Sequence, residues 1–204
     1  GRIIEEYGKT TETWKGDTSD FNVGSELISP HGGSLVRRIA VPTEVENLDS
    51  LKAITIDGDL ASDCRQIGLG GYSPVTGFMD KVTLEAVLME NKLPEGCIWP
   101  MPIVLVVPEN EAKTLSVGAR VVLKSNAGEA LALLDVNDIY PVNFEWVTTN
   151  WFGTSSLDHP GVNRFSRMGN YFVGGPIKLI KEESTDYFHY DLSPEQSRFV
   201  FLHK

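Results

Sequence analysis

Residues 119–136, ARVVLKSNAGEALALLDV, decide the fold class. Two short apolar runs, ARVVLKS (119–125) and EALALLDV (129–136), are separated by Asn126-Ala127-Gly128, a turn-forming triplet. That pattern predicts a β-hairpin. PIVLVV (102–107) and KAITI (52–56) read as further strands, and so do residues 171–173 and 177–181. Between them the spacing of apolar residues changes to helical. Residues 60–69 read as a helix stopped by Gly70-Gly71. Asp80 is placed to cap a second helix over 82–90, with Val82, Leu84, Val87 and Leu88 available for a buried face. Thr43 with Glu46 three residues later predicts a capped helix over 44–51, and short helices are expected over 144–151 and 161–168. Strands of uneven length interleaved with short helices give an α+β class, with a small barrel or strongly bent sheet.

Composition narrows the function. The chain has 204 residues, 41% hydrophobic and 23% charged, which suits an ordinary globular protein with a real core. Its formal net charge of −10 argues against a nucleic-acid backbone or an anionic membrane as partner. Two distant cysteines, Cys64 and Cys97, predict neither a disulfide framework nor a zinc ribbon, and a reducing, cytoplasmic compartment is expected. No apolar run approaches the length of a membrane span.

Candidate chemistry fails motif by motif. Gly8-Lys9-Thr10 ends like a phosphate-binding loop, but Ile3 stands where its first glycine belongs. Gly68 and Gly70 fail the dinucleotide fingerprint, because Ser73 occupies the third glycine position. His31-Gly32-Gly33 is like an esterase oxyanion loop, yet no G-x-S-x-G elbow accompanies it, so a turn with a hydrogen-bonded histidine is expected. His31, His159, His189 and His203 lack metal-ligand spacing. Glu5-Glu6 and Glu182-Glu183 read as solvated faces, and Asp158-His159-Pro160-Gly161 reads as a turn. The residues therefore assign no catalytic, cofactor-binding or metal-binding position.

The stretch GGYSPVTGFM (70–79) is too rich in breakers for a helix and too apolar for a solvated linker. It is one of six segments in a fixed order: HGGSLVRR (31–38), GGYSPVTGFM, WPMPIVL (99–105), FGTSSLDHPGV (152–162), YFVGGPI (171–177) and LSPEQSRFVF (192–201). Together they resemble the amino-terminal domain of ATP sulfurylase, also called sulfate adenylyltransferase. The resemblance implies a PUA-like, β-rich domain. It implies membership of an enzyme that makes adenosine 5′-phosphosulfate and pyrophosphate from ATP and sulfate with magnesium. The family's catalytic signatures, Q-x-R-N-P-x-H-x-x-H and a later G-R-D, are absent from these 204 residues.

The expected organisation is a polar extension (1–30), a PUA-like domain (31–192) and the start of a linker helix (193–204) toward a catalytic domain. Ser193-Pro194-Glu195-Gln196 opens that helix with a cap, a first-turn proline and a capping-box glutamine. The first residue is glycine rather than methionine, and the helix is newly begun when the sequence stops, so a chain cut from something longer is expected. The expected role is structural and interdomain, with the chain inactive alone. Its partners would be the catalytic domain and further subunits, with ATP and magnesium used by the parent enzyme. Arg38 matches the family's arginine and is expected to be structural or interdomain; Arg65 departs from an expected acidic residue. The GGYSPVTGFM loop is expected to pack or make an interdomain contact rather than hold ligand. A different reading is a free-standing PUA-like module for RNA or a protein partner, and a third has a separate polypeptide complete the enzyme in trans.

Overall fold

The computed structural model describes residues 27–180 and 190–202. The expectations for residues 1–26, for residues 181–189 (with Glu182-Glu183 and His189) and for His203 lie outside the described residues. The described chain runs β1 (Lys52–Thr55), α1 (Gly58–Leu69), β2 (Gly77–Phe78), α2 (Lys81–Glu90), β3 (Leu105–Val107) and α3 (Glu109–Ala112). It continues with β4 (Arg120–Lys124), β5 (Ala130–Asp135), β6 (Asp138–Pro141), α4 (Phe144–Phe152), α5 (Pro160–Phe165), β7 (Tyr171–Leu179) and α6 (Pro194–Leu202). The expected hairpin is β4–β5, closed by the Ser125 amide donating to the Glu129 carbonyl oxygen at 2.9 Å and by Gly128 at φ +84°.

One strand organises the sheet. Residues 171–173 and 177–181 are not two strands: β7 runs unbroken through Gly174, Gly175 and Pro176. It pairs antiparallel with β5, β6, β3 and β2, while β4 extends the sheet from β5 and β1 joins β4 in parallel. Glycine and proline survive inside this strand because the sheet bends there. Leu134 pairs with Ile177 and Asp138 with Gly174, so four steps on the β5–β6 side face three on β7. The extra residue is a bulge, and a bulge curls a sheet. A Cβ on Gly175 (φ +153°) would overlap the Asp135 carbonyl oxygen, and one on Gly174 would lie 2.8 Å from the Asp80 backbone. β2 and β6 escape a sequence reading for a related reason. Each is short and borders Gly, Pro or Asn, and each is held by β7 rather than by its own apolar alternation.

The helices follow their caps. Asp57 caps α1 through the Leu60 amide, and Gly70, at φ +86°, ends it. Asp80 caps α2 through the Thr83 amide; Leu84 and Val87 are buried, Leu88 is partly buried, and Val82 faces solvent. The helix expected over 44–51 is instead two 3-10 turns, Pro42–Glu44 and Leu48–Ser50. Glu44, not Glu46, closes the capping interaction, accepting from the Val41 amide at 3.1 Å. Asn47, at φ +62°, then interrupts the helical path. The Glu44 carboxylate also receives Lys178 and Arg120, which ties the turn to β7 and β4. The Lys178 hydrogen bond is the chief cause holding the Glu44 carboxyl below its usual range.

The core lies between the curled sheet and its helices. Ile54, Leu105, Leu123, Leu134, Phe172 and Ile177 fill it, and α1 packs on β7 so closely that Gly68 abuts Leu179. Gly175→Ala is expected to lower unfolding stability by about 3 kcal/mol or more, because it adds a backbone clash to a disfavoured φ. Gly58→Ala, where nothing lies within 4 Å of the added Cβ, should change stability by less than about 0.5 kcal/mol. Denaturant midpoints of the two variants check both statements.

Candidate functional site

Four of the six motif segments converge. Ser73 is the fastener of the 70–79 loop: its hydroxyl donates to the Gly70 carbonyl oxygen at 2.7 Å and accepts from the Val36 amide at 2.9 Å. Pro74, after a cis peptide bond, packs under Gly32, where a Cβ would lie 2.7 Å from the proline ring. Phe78 and Met79 are buried, and the Tyr140 hydroxyl donates to the Met79 carbonyl oxygen at 2.9 Å. Tyr72 meets Trp99 edge-on at a 6.0 Å centroid distance, and His31 lies 6.1 Å from the same indole. The Trp99 indole N–H donates to the Met101 carbonyl oxygen at 2.6 Å. Segment 36–40 then runs along the end of β7: the Leu179 amide donates to Arg38 and the Ala40 amide to Leu179. The loop is a packing device, as its composition predicts.

The residues singled out by sequence take structural positions. His31 sits in a turn, its Nε2 2.7 Å from the Ile98 carbonyl oxygen and 3.3 Å from Cys97 Sγ. Arg38 Nε donates to the Ile177 carbonyl oxygen at 3.1 Å, which joins the motif's arginine to β7. His159 is the N-cap of α5, accepting from the Val162 amide, and Asp158 bonds Ser156 rather than the histidine. No relay forms there. Cys64 is buried, which pushes its thiol up to about 12 and leaves it inert at neutral pH.

Arg37 pairs with Glu195, Arg65 with Asp191, Arg120 with Asp135 and Glu44, Arg164 with Asp57 and Asp59, and Lys178 with Glu44. A cleft of about 170 Å³ beside the 70–79 loop carries Asp80 and Glu95, the wrong sign for ATP or sulfate. A wider cleft of about 630 Å³ near α5 holds Arg164 and Arg167, but Asp57 and Asp158 line it too. Among the described residues no group of three or more His, Cys, Asp or Glu is disposed to hold a metal ion. No described helix is long and apolar enough to cross a membrane. The sequence did not reveal the Trp99–His31–Tyr72 cluster or the Glu44 hub. The aromatic-and-proline run WPMP was the available signal for the first; nothing local marked the second.

One group in this region is tuned away from its ordinary value. Asp63 accepts from the Tyr72 hydroxyl at 3.1 Å. Burial raises its carboxyl above the usual range; the Tyr72 hydrogen bond opposes this, and Asp59 and Asp57 add to it. A carboxyl harder to ionise when folded favours the fold at low pH and loses that contribution as pH rises through its folded value. Asp63→Asn should therefore melt at a higher temperature than the parent at neutral pH. The gap should close below about pH 3, where aspartate is largely protonated in both states. Thermal melts across this range test it, and a gap independent of pH would overturn it.

Comparison with known proteins matches this geometry. A family model described as a PUA-like domain covers residues 28–182. The sulfate adenylyltransferase of Persephonella marina is 36% identical over 180 residues, spanning 84% of this chain and 46% of that one. The Trichodesmium erythraeum sulfate adenylyltransferase is 34% identical over 182 residues, 87% of this chain and 47% of its own. A probable bifunctional SAT/APS kinase 2 of Sorangium cellulosum is 34% identical over 183 residues, 87% of this chain and 32% of its own. The chain thus spans about half the length of the curated sulfate adenylyltransferases it matches. The solved hexameric APS kinase from Thiobacillus denitrificans shares the fold at a TM-score of 0.65 and 24% identity, over 87% of this chain and 32% of that one. The bent-sheet α+β class and the resemblance carried by the six segments are both borne out, and the chain belongs to the PUA-like domain family.

Proposed function

We propose that this chain is the amino-terminal PUA-like portion of a sulfate adenylyltransferase, and that it supports the catalytic portion rather than performing chemistry. The observation that carries the reading is the extent of similarity. Identity of 36% runs through 84% of the chain but reaches only 46% of the relative. The pairing of cations supports it: among the described residues Arg37, Arg65, Arg120, Arg164 and Lys178 are each met by a carboxylate, which competes with binding of anionic substrates at those positions. ATP and magnesium, which the family uses, find no fitting site among the described residues: no group of three or more His, Cys, Asp or Glu is disposed to hold a metal ion, and the cleft beside the 70–79 loop is acidic. In this reading they are held by the catalytic portion of the enzyme. Oligomeric partners and a cytoplasmic location belong to the same proposal, and the unpaired Cys64 and Cys97 suit a reducing compartment.

The test uses adenosine 5′-phosphosulfate and pyrophosphate, with ATP formation as the readout. The purified chain should give no ATP above the enzyme-free control. A chimera in which residues 28–202 replace the matched portion of the Persephonella marina enzyme should give ATP. Turnover by the chain alone would overturn the scaffold reading. A folded but inactive chimera would overturn its assignment to this enzyme.

A further inference from the structure

Helix α6 is attached to the domain differently from α2. The latter holds its place through Leu84 and Val87, both buried. No described residue of α6 is buried. Its side chains are half-buried, Phe199 among them with a contact of its own, and Phe201 faces solvent. Apolar packing therefore contributes to its seat, but with less area removed from water per side chain than in α2. The helix also lies beyond residue 182, where the PUA-like match ends, so the layers of that fold stand without it.

Three polar contacts from three separate places in the chain converge on it. Arg65 of α1 pairs with Asp191, just before the helix, at 2.6 Å. Arg37 pairs with Glu195 in its first turn. Arg198 donates to the Ile28 carbonyl oxygen at 2.8 Å. Glu195 and Arg198 are three residues apart and so share one face of the helix. Both ion pairs reach the surface, with Arg37 42% and Asp191 38% exposed, and dissolved salt screens charges placed there. Once released, the helix does not hold itself. It has nine residues, and isolated helices shorter than about 12 residues are marginal in water. The Ser193–Gln196 capping box fixes where it starts, but supplies no hydrogen bonds beyond the first turn.

We propose that α6 is a latched element. The clamp made by Arg65–Asp191, Arg37–Glu195 and Arg198 with the Ile28 carbonyl holds it in place, and raising ionic strength opens the clamp and unfolds the helix locally while the sheet stays intact. The sheet keeps its fold because its core is apolar, with Ile54, Leu134, Phe172 and Ile177 buried, and salt screening does not act on such contacts. On the functional reading above, the same latch sets how firmly the catalytic portion is held to this one; the latch itself does not rest on that reading.

Hydrogen–deuterium exchange on the 204-residue chain tests the latch at fixed pH, with sodium chloride raised from about 0.05 M to about 0.5 M. Amides of 197–202 should exchange about fivefold faster or more at the higher salt, while those of 84–90 in α2 keep their rates. Arg37→Gln leaves the helix sequence untouched, so any effect on α6 passes through the pair; it should speed exchange there about threefold at low salt. Glu195→Gln added to it should change the rate little further, because the partner is already gone. Three results would overturn the proposal: α6 amides that exchange at free-peptide rates even at low salt, no salt response in α6, or an equal response in α2. Effects of the two substitutions that simply add would remove Arg37–Glu195 from the clamp and overturn it as stated.

Discussion

The middle of β7 is where backbones meet too closely for side chains, and the rest of the fold depends on that approach. Gly175 faces the Asp135 carbonyl oxygen, Gly174 faces the Asp80 backbone, and Gly77 of β2 lies against Gly175 and Pro176. With no Cβ at these points, β5–β6 can pass along β7 with one extra residue, and the sheet curls. The curl turns Leu134, Phe172 and Ile177 into one interior. It also brings the end of β7 against segment 36–40 and under α1. The loop after α1 then has a fixed platform, on which Ser73 and Pro74 hold the 31–38 segment.

Charge is arranged to consolidate this frame. The chain carries 28 acidic against 18 basic residues, and among the described residues Arg37, Arg65, Arg120, Arg164 and Lys178 each meet a carboxylate. Glu44 shows the pattern: one carboxylate receives Lys178 of β7, Arg120 of β4 and the Val41 amide, which joins two strands to a 3-10 turn. Pairs of this kind near the surface contribute only modestly to stability, because solvent screens them.

Much of this was legible in the sequence, and the failures have a common cause. The β4–β5 hairpin, the Gly70 stop of α1, the Asp80 cap of α2, the His31 turn and the capping box of α6 rest on residues within a few positions of one another. Gln196 and Ser193, for example, exchange hydrogen bonds three residues apart. The helix expected over 44–51 was displaced because Glu44 was drawn to Lys178, 134 residues away. Residues 174–176 read as a break between strands because glycine and proline oppose strand formation locally. The neighbours that require glycine there, Asp80 and Asp135, lie far off in sequence.

By itself the sequence determined the class of fold, the Asp80 and Ser193 caps, the packing character of the 70–79 loop and the family, since these depend on local spacing and on segments kept in order. Only the tertiary structure decided that β7 is one bent strand, that Arg37 meets Glu195 across 158 residues, and that His31 meets Ile98 across 67. Local pattern sets what a segment prefers; which surfaces are left uncovered once the sheet curls depends on the whole chain at once.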